Sequence, residues 1–319
     1  MKSSYIQLLL GAFSTCLASP HPKIRDETNS LPSSAVASRA APKWIKIDDT
    51  ARINNVITVT SSPGVSAAND GLYIVRPTGQ IQRYINSAWT TVDNYEQTYQ
   101  IAGANGNLWQ RHLDGGTFRW LGQPGEWEST SGTDTSVYNI VAAGDQLFAQ
   151  RKDGSVARLS DGAWVTIDQP PITDSSSSTQ ILFDDELTMW NRLYNGTIVR
   201  TPAPYNAGQW KIVDSTYTAK LAVGGNNVYR WDSSANQVLK MNATGGWTLI
   251  DSGRVVNNIY AVGDYLYVEL LDGSYSRYSG TPMLWETIDQ RASRGEVAGD
   301  RKGGLWRLMG GGQIWEMVV

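Results

Sequence analysis

The phrase Trp-x-x-(Val/Ile)-Asp recurs along this chain, and its repetition constrains the fold more than any other feature. Each copy is followed by an apolar residue next to an aromatic one, and these pairs start 36, 39, 42, 39, 38 and 39 residues apart. A period of about forty residues is typical of four-stranded propeller blades. Six copies of the phrase begin at Trp44, Trp89, Trp164, Trp210, Trp247 and Trp285, and a degraded copy begins at Trp127. The apolar-aromatic pairs are Leu72-Tyr73, Leu108-Trp109, Leu147-Phe148, Met189-Trp190, Val228-Tyr229, Leu266-Tyr267 and Leu305-Trp306.

The repeat that starts at Trp247 shows the expected secondary structure. Its Trp phrase predicts one strand, and three more strands are predicted at 258–262, 266–271 and 274–278. Asp272-Gly273 is a strong hairpin signal between the last two. Because apolar residues alternate with period two and turns recur every eight to ten residues, a helical repeat is excluded.

Seven such units predict an all-β, seven-bladed propeller of four-stranded blades over residues 43–319. The ordered part begins with a Trp strand at 44–48 and ends just after a third strand at 313–318. We therefore expect the N-terminal Trp strand to join the last blade and close the ring, which leaves no long sheet edge open.

Two repeated positions are expected to be structural. Counted from the apolar residue that opens each second strand, a Gly follows at +7 in six copies, where the turn needs a positive φ. The aromatic residue at +1 is interpreted as the flat filler that one blade presses onto the next. The six glycines are Gly79, Gly115, Gly154, Gly196, Gly273 and Gly312.

The first forty residues differ from the repeats. Residues 1–19 carry a lysine near the start, an apolar run and small residues at Ala18 and Ser19, which predicts a secretory signal. Residues 20–42 are rich in Ser, Pro and Ala and predict a disordered spacer or pro-segment. The one cysteine, Cys16, falls in the signal, so the secreted chain is expected to be stable without disulfides.

Several sequence features bear on partners. Asn195-Gly-Thr and Asn242-Ala-Thr are glycosylation sequons, as an exported protein would carry. The net charge is −3 with both signs interspersed. The sequence therefore predicts no nucleic-acid partner and no membrane insertion. It indicates no cofactor and no metal, and it does not define the oligomeric state.

Two polar positions also repeat. An Arg stands at +11 in five copies, and it could either bind sugar hydroxyls or a carboxylate, or pair between blades. The Asp that ends each Trp strand is expected to cap the turn into the next blade. The arginines are Arg83, Arg119, Arg158, Arg200 and Arg277, with Leu239 and Glu316 in the other two copies. The acids are Asp48, Asp93, Asp168, Asp214, Asp251 and Asp289.

Together, the Trp strand, the apolar-aromatic strand and the Gly turn leading to an Arg-bearing strand resemble the tectonin and tachylectin-type β-propeller lectins. The resemblance covers residues 44–319 and implies repeated sugar sites built from aromatic rings and polar side chains. Carried over, it nominates the Arg residues at +11 as hydroxyl donors. It nominates Trp109, Trp120, Trp190, Trp231 and Trp306 as stacking candidates.

Three function classes stay open. The first is a secreted, multivalent carbohydrate-binding protein, whose partners would be glycans or another small-molecule ligand. The second is a secreted propeller enzyme, a cyclase, lyase or hydrolase with a site at one face of the central channel. His21 and His112 are the only histidines, so no Ser/His/Asp grouping or multi-His site can be assembled, and the sequence leans against catalysis. The third is a non-catalytic interaction or effector protein.

Overall fold

The fold is a seven-bladed, all-β propeller, as predicted. The computed structural model describes residues 42–49, 57–60, 71–167, 178–205, 209–291, 295–300, 304–309 and 312–318. The chain divides into two compact units, Met1–Arg39 and Ala40–Val319, and every described strand lies in the second. These strands form seven antiparallel sheets of four strands, and the described residues contain no helix. The predicted signal at 1–19 and nearly all of the predicted spacer at 20–42 lie outside them.

Six blades are continuous in sequence. Blade 1 contains β2 Ile57–Thr60, β3 Gly71–Val75, β4 Ile81–Ile85 and β5 Ala88–Asp93; blade 2 contains β6 Thr98–Ala104, β7 Asn107–His112, β8 Thr117–Trp120 and β9 Trp127–Ser131. Blade 3 contains β10 Val137–Ala143, β11 Gln146–Arg151, β12 Val156–Ser160 and β13 Ala163–Ile167; blade 4 contains β14 Ser178–Phe183, β15 Met189–Leu193, β16 Ile198–Thr201 and β17 Lys211–Asp214. Blade 5 contains β18 Lys220–Gly224, β19 Asn227–Asp232, β20 Gln237–Met241 and β21 Trp247–Asp251; blade 6 contains β22 Val256–Val262, β23 Tyr265–Leu270, β24 Tyr275–Tyr278 and β25 Trp285–Asp289.

Blade 7 is built from the first described strand of the propeller unit and its last three strands. It contains β26 Gly295–Gly299, β27 Leu305–Met309, β28 Gln313–Val318 and, as its fourth strand, β1 Lys43–Asp48. β1 pairs antiparallel with β28, and Trp44 lies opposite Met317. That this pairing holds the ring closed stays a prediction.

The strand order defines two faces. The turns between first and second strands and between third and fourth strands lie on one face, here called the upper face. The turns between second and third strands lie on the opposite, lower face, where the chain also crosses to the next blade. The long loop predicted at 61–70 lies outside the described residues, as does most of the one predicted at 169–179, whose last two residues begin β14.

The hydrophobic core lies between neighbouring blades. Tyr73 of blade 1, fully buried, makes an edge-to-face contact with Trp120 of blade 2 at a centroid distance of 5.9 Å. All seven aromatic residues at +1 are at most 9% exposed, so the interpretation of this position as a blade-packing filler is confirmed. They are Tyr73, Trp109, Phe148, Trp190, Tyr229, Tyr267 and Trp306.

The Trp and the Asp of the repeated phrase take part in a contact between successive blades, which we call the joint. At four interfaces between blades, an Arg forms an ion pair with the Asp that ends the Trp strand of one blade. The guanidinium of the same Arg lies over the Trp ring of the next blade. These joints are Asp48–Arg76–Trp89, Asp214–Arg230–Trp247, Asp251–Arg254–Trp285 and Asp289–Arg291–Trp44. The guanidinium lies 5.1 to 5.5 Å from the ring centroid in each case, within the range of a cation–π contact.

The Asp of the phrase also caps a turn, as expected. The Oδ1 atom of Asp93 accepts a hydrogen bond from the amide of Tyr95 at 3.0 Å, and Asp214 and Asp251 make the same bond two residues ahead. At Asp289 burial opposes ionisation, but bonds from Arg291 and the charge of buried Arg307 outweigh it, so the pKa of this carboxyl is lowered. Asp168 lies outside the described residues.

The tightest of these joints yields a stability prediction. Both nitrogens of the Arg76 fork bond the Asp48 carboxylate at 2.6 Å, and both side chains are largely buried. Removing the guanidinium would take away the bidentate cation that faces this buried carboxylate, so Arg76→Met should lower the free energy of unfolding by about 3 kcal/mol. Urea denaturation checks this. Adding Asp48→Asn should recover part of the loss, whereas exposed Arg119→Met should cost only about 0.5 kcal/mol.

A second prediction concerns the lower-face turns. All six glycines at +7 have positive φ, and Gly115 (φ 87°) is also pressed against the next blade, where an added Cβ would lie 2.3 Å from the Asp134 carbonyl oxygen. Gly125 has a similar φ of 76° but nothing within 4 Å of that point. Gly125→Ala should therefore cost about 1 kcal/mol from backbone strain, and Gly115→Ala at least about 1 kcal/mol more. Equal losses in thermal or urea unfolding would contradict the close-approach argument.

Candidate functional site

The cations at +11 lie on third strands, directly across from the aromatic residues at +1. The register pairs are Tyr73–Arg83, Trp109–Arg119, Phe148–Arg158, Trp190–Arg200 and Tyr267–Arg277. The guanidinium lies 5.8 Å from the ring centroid of Tyr73 for Arg83 and 5.3 Å from that of Trp190 for Arg200. Arg83 and Arg200 therefore lie over rings that are buried between the blades.

Blade 5 requires a correction. Counting placed Leu239 at this position, but the structure places Lys240 across from Tyr229, with Nζ 5.7 Å from the ring centroid. The turn after Asp232 has one more residue than its counterparts, and Asn236 (φ 50°) supplies the positive φ instead of Gly. The blade therefore keeps its cation, one residue later in the sequence. In blade 7 Glu316 does lie opposite Trp306, as counted.

Arg277, Arg119 and Arg158 bond to protein groups. Arg277 pairs with Glu286 at 2.6 Å, Arg119 donates to Asn107 Oδ1 at 2.8 Å, and Arg158 donates to the Pro204 carbonyl at 3.5 Å. For these three, pairing inside the protein is the arrangement that the structure shows. Within the described part of the chain, Arg200 and Lys240 contact ring faces and form no ion pair with a carboxylate.

The nominated tryptophans lie inside or between the blades. Trp109, Trp120, Trp190 and Trp306 are 2%, 6%, 2% and 9% exposed, and Trp231 is partly buried. The indole of Trp120 donates to the Gln123 carbonyl at 2.7 Å, and that of Trp190 to Asp184 at 2.9 Å. Their ring faces are largely covered by protein. Of the five, Trp190 lines one of the two cavities described below.

At position +3 of the second strand, four of the seven residues bond one blade to the next. They bond the start of the following blade's first strand: Arg111 to the Tyr138 carbonyl at 3.0 Å, Gln150 to Ser178 Oγ at 2.6 Å, Arg192 to the Thr218 carbonyl at 3.2 Å and Glu269 to the Gly295 amide at 3.2 Å. Arg111 and Arg192 donate to backbone carbonyls, Gln150 donates to a hydroxyl and Glu269 accepts from an amide. In these four blades the variation at +3 follows from contacts between blades and does not itself mark a ligand site.

The first cavity is the upper mouth of the central channel, with a volume of about 390 Å³. The upper ends of first strands surround it, and they are built from glycine and alanine because the blades crowd towards the axis. At Gly224, for example, an added Cβ would lie 2.7 Å from the Gly263 carbonyl oxygen. Asp184, Asp185 and Asp300 add carboxylates. Most of the wall is backbone and small side chains, which offers few groups for specific recognition.

The second cavity is a groove of about 680 Å³ on the upper face, between blades 4, 5 and 6. We call it the inter-blade groove. Arg200 and Lys240 reach it from the third strands of blades 4 and 5, and both lie over buried rings that hold them in place. Asp184 orders its inner edge by accepting bonds from the amides of Glu186 and Thr188 and from the Trp190 indole.

The groove combines polar groups with an apolar base. Amides, hydroxyls and a carboxylate line it at Thr188, Glu186, Asn226, Asn227, Asn242 and Thr248. Val228, Ile250, Tyr278 and Pro282 supply apolar surface. Its volume falls in the range of small-ligand sites, and a few polar groups converging on an apolar surface are what such sites use.

His112 is placed away from both cavities. It is 7% exposed and stacks between Tyr95 and Phe118 at centroid distances of 4.4 and 4.3 Å. Burial lowers the pKa of its imidazole, although Asp114 and Asp93 partly oppose this, so the ring is neutral at pH 7. The structure thus uses His112 as a packing ring. In the described ranges, no group of three or more His, Cys, Asp or Glu side chains is arranged to hold a metal ion.

The lower face carries a concentration of exposed apolar side chains that the sequence scatters widely. Five tyrosines there are between 39% and 69% exposed, and three aliphatic residues are more than half exposed. They are Tyr95, Tyr99, Tyr138, Tyr194 and Tyr217, with Leu113, Val255 and Leu271. The guanidinium of Arg111 lies 4.4 Å from the centre of the Tyr99 ring, and the Tyr138 hydroxyl donates to the Ser178 carbonyl at 3.3 Å.

The two sequons lie on opposite faces. Asn195 is exposed on the lower-face turn between β15 and β16, and Asn242 is exposed on the upper-face turn between β20 and β21. Asn242 lines the inter-blade groove. Over the residues that the structure describes, no helix has the length and apolar character needed to cross a bilayer.

Comparison with known proteins supports the fold alone. No protein-family model matches the sequence, and no curated protein matches it. Solved propellers do match. YCF48 from Cyanidioschyzon merolae is 11% identical over 87% of this chain and 98% of its own, with a TM-score of 0.63. Virginiamycin B lyase from Staphylococcus aureus is 13% identical over 87% and 99%, with a TM-score of 0.61. BamB from Moraxella catarrhalis is 12% identical over 88% and 97%, with a TM-score of 0.53.

Proposed function

We propose that this protein is a secreted, non-catalytic carbohydrate-binding propeller whose main site is the inter-blade groove. Secretion rests on the sequence of residues 1–19 and on the two sequons. Carbohydrate binding rests on the groove, since a sugar needs donors and acceptors for its hydroxyls together with apolar surface for its C–H faces. The resemblance to tectonin-type propellers points to the same ligand class.

The observation that carries this proposal is the placement of Arg200 and Lys240. Both cations lie over aromatic rings, both line the groove, and neither forms an ion pair with a carboxylate among the described residues. Their donors are therefore available to a ligand, while Glu186 and the amides of Asn226 and Asn227 supply acceptors nearby. Because lysine and arginine are balanced by Asp184 and Glu186 in the lining, the groove suits an uncharged saccharide.

This proposal differs from a ring of equivalent sites. The equivalent cations of blades 2, 3 and 6 are bonded within the protein, and most of the nominated tryptophans are buried. One groove, made where blades 4, 5 and 6 meet, replaces five repeated pockets. Binding is then expected to be monovalent for each chain.

The test uses protein made without glycosylation in bacteria. On a glycan array it should bind a defined set of saccharides, and titration calorimetry should then show affinity falling about 10-fold to 100-fold in Arg200→Gln, because a hydrogen bond to a charged donor is lost. Arg119→Gln is the matched control, since it alters the same ring position in blade 2. An array without hits, or equal losses in the two variants, would contradict the proposal.

A second candidate function, docking of a protein partner, is supported by the tyrosines of the lower face. Exposed apolar patches on one face mark interaction surfaces, and tyrosine gives large contact area at low entropic cost. Tyr99 and Tyr138 are held by Arg111 and Ser178, so their rings are positioned before any partner arrives. One similar propeller, YCF48, has been solved bound to D1 peptide, which shows that this fold can hold a peptide.

Selection of random peptides against the protein tests this second function. Binders should lose at least tenfold in affinity on Tyr99→Ser and on Tyr138→Ser, since each change removes an exposed aromatic anchor. Tyr265→Ser is the matched control: that ring is 41% exposed on the upper face and lies under Arg277. Peptides that ignore the lower-face changes would argue against docking there.

A further inference from the structure

Asn242 occupies an unusual position for a sequon asparagine. It begins the exposed turn between the third and fourth strands of blade 5, and its side chain forms part of the wall of the inter-blade groove. Anything attached to this side chain therefore starts at the groove. Asn195, the other sequon asparagine, lies on the lower face and does not line it.

The turn holds the Asn242 amide in a fixed orientation. Its Oδ1 atom accepts three hydrogen bonds, from the Thr244 amide at 3.1 Å, the Thr244 hydroxyl at 2.8 Å and the Gly246 amide at 2.9 Å. None of these bonds uses Nδ2, the atom to which a sugar is joined. Gly246 also keeps the approach clear, because a Cβ there would lie 3.2 Å from Nδ2.

The arrangement is suited to modification. In N-glycosylation, Nδ2 attacks the anomeric carbon of an oligosaccharide carried on a lipid diphosphate. A C–N bond forms, the bond from that carbon to the diphosphate oxygen breaks, the diphosphate leaves with the electron pair, and the amide loses one proton. The Thr244 hydroxyl donates a hydrogen bond to Oδ1, which makes the N–H bonds at Nδ2 more acidic and so favours the loss of the proton. Asn195 has the corresponding bond only from the Thr197 amide, at 3.0 Å.

We propose that an N-glycan on Asn242 occupies the inter-blade groove and competes there with outside saccharides. This inference rests on the proposed function, because the same groups that would bind a separate glycan face the attached one. A tethered ligand experiences an effective concentration of about millimolar, so it occupies a weak sugar site at the expense of dilute ligands. Modification at Asn242 thus sets whether the groove is open.

The ligand class follows from the tether. In a eukaryotic N-glycan the sugars next to Asn242 would be the two N-acetylglucosamines of its core, so the groove is expected to accept this core. The probe is therefore the free core pentasaccharide of two N-acetylglucosamines and three mannoses. The unmodified protein from bacteria should bind it, as measured by titration calorimetry.

The decisive comparison uses full-length protein secreted from a eukaryotic host, with glycan occupancy read by mass spectrometry of peptides. Protein modified at Asn242 should bind the probe at least tenfold more weakly than the bacterial protein. Thr244→Val from the same host, which destroys the sequon but keeps the Asn242 side chain, should bind like the bacterial protein. Wild-type protein secreted while N-glycosylation is inhibited, which needs no substitution, should do the same. Asn195→Gln, which leaves the Asn242 glycan in place, should stay weak.

Three outcomes would overturn the inference. They are an Asn242 that carries no glycan in the secreted protein, equal probe affinity with and without that glycan, and restoration by Asn195→Gln instead of Thr244→Val. Failure of the proposed function looks different: the unmodified bacterial protein would then bind neither the probe nor any glycan of the array.

Discussion

The joint between successive blades is the interaction on which the rest of the structure depends. The carboxylate that ends one Trp strand pairs with an arginine, and that arginine lies over the Trp ring of the next blade, as in Asp48–Arg76–Trp89. A single four-stranded sheet has two faces to bury and cannot do so alone. The joint positions each sheet against its neighbour, so that the aromatic residues of the second strands fill the space between them. Between blades 1 and 2 a different polar pair takes this place: Asp93 accepts a hydrogen bond from Gln110 of the next blade at 3.0 Å.

Function is expected where this repetition is broken. The extra residue in the turn of blade 5 moves Lys240 into the position of the ring arginines, and the acidic turn of blade 4 brings Asp184 and Glu186 to the same edge. The inter-blade groove results from these two local departures, together with the turn of blade 6. The lower face shows a different kind of departure, since connections of unrelated sequence bring tyrosines to one surface. Both faces therefore carry surfaces that a purely repetitive ring would lack.

Much of the fold followed from the sequence because its signals are local. The period of the Trp phrase, the Asp-Gly and Gly turns and the alternation of apolar residues predicted seven blades of four strands, and the strands of the repeat at Trp247 lie within a few residues of their expected bounds. The candidate site did not follow as well. Repeated tryptophans suggested repeated stacking sites, but four of the five nominated rings are buried. Leu239 was taken for the blade 5 position because counting assumed a turn of constant length. The available signal was Asn236, a residue type that tolerates positive φ, one residue after the position where the other blades have Gly.

The sequence by itself determined the architecture, because each repeat encodes its own turns and the residues that press one blade onto the next. Those are contacts between positions at fixed separations, and a periodic pattern reports them. Only the tertiary structure decided what the surface offers. Trp190, Arg200, Lys240 and Asn242 come from two blades and meet in one groove because neighbouring sheets pack face to face at that point. Whether a side chain at a repeated position is bonded within the protein, like Arg277, or available in a groove, like Arg200, depends on partners distant in sequence.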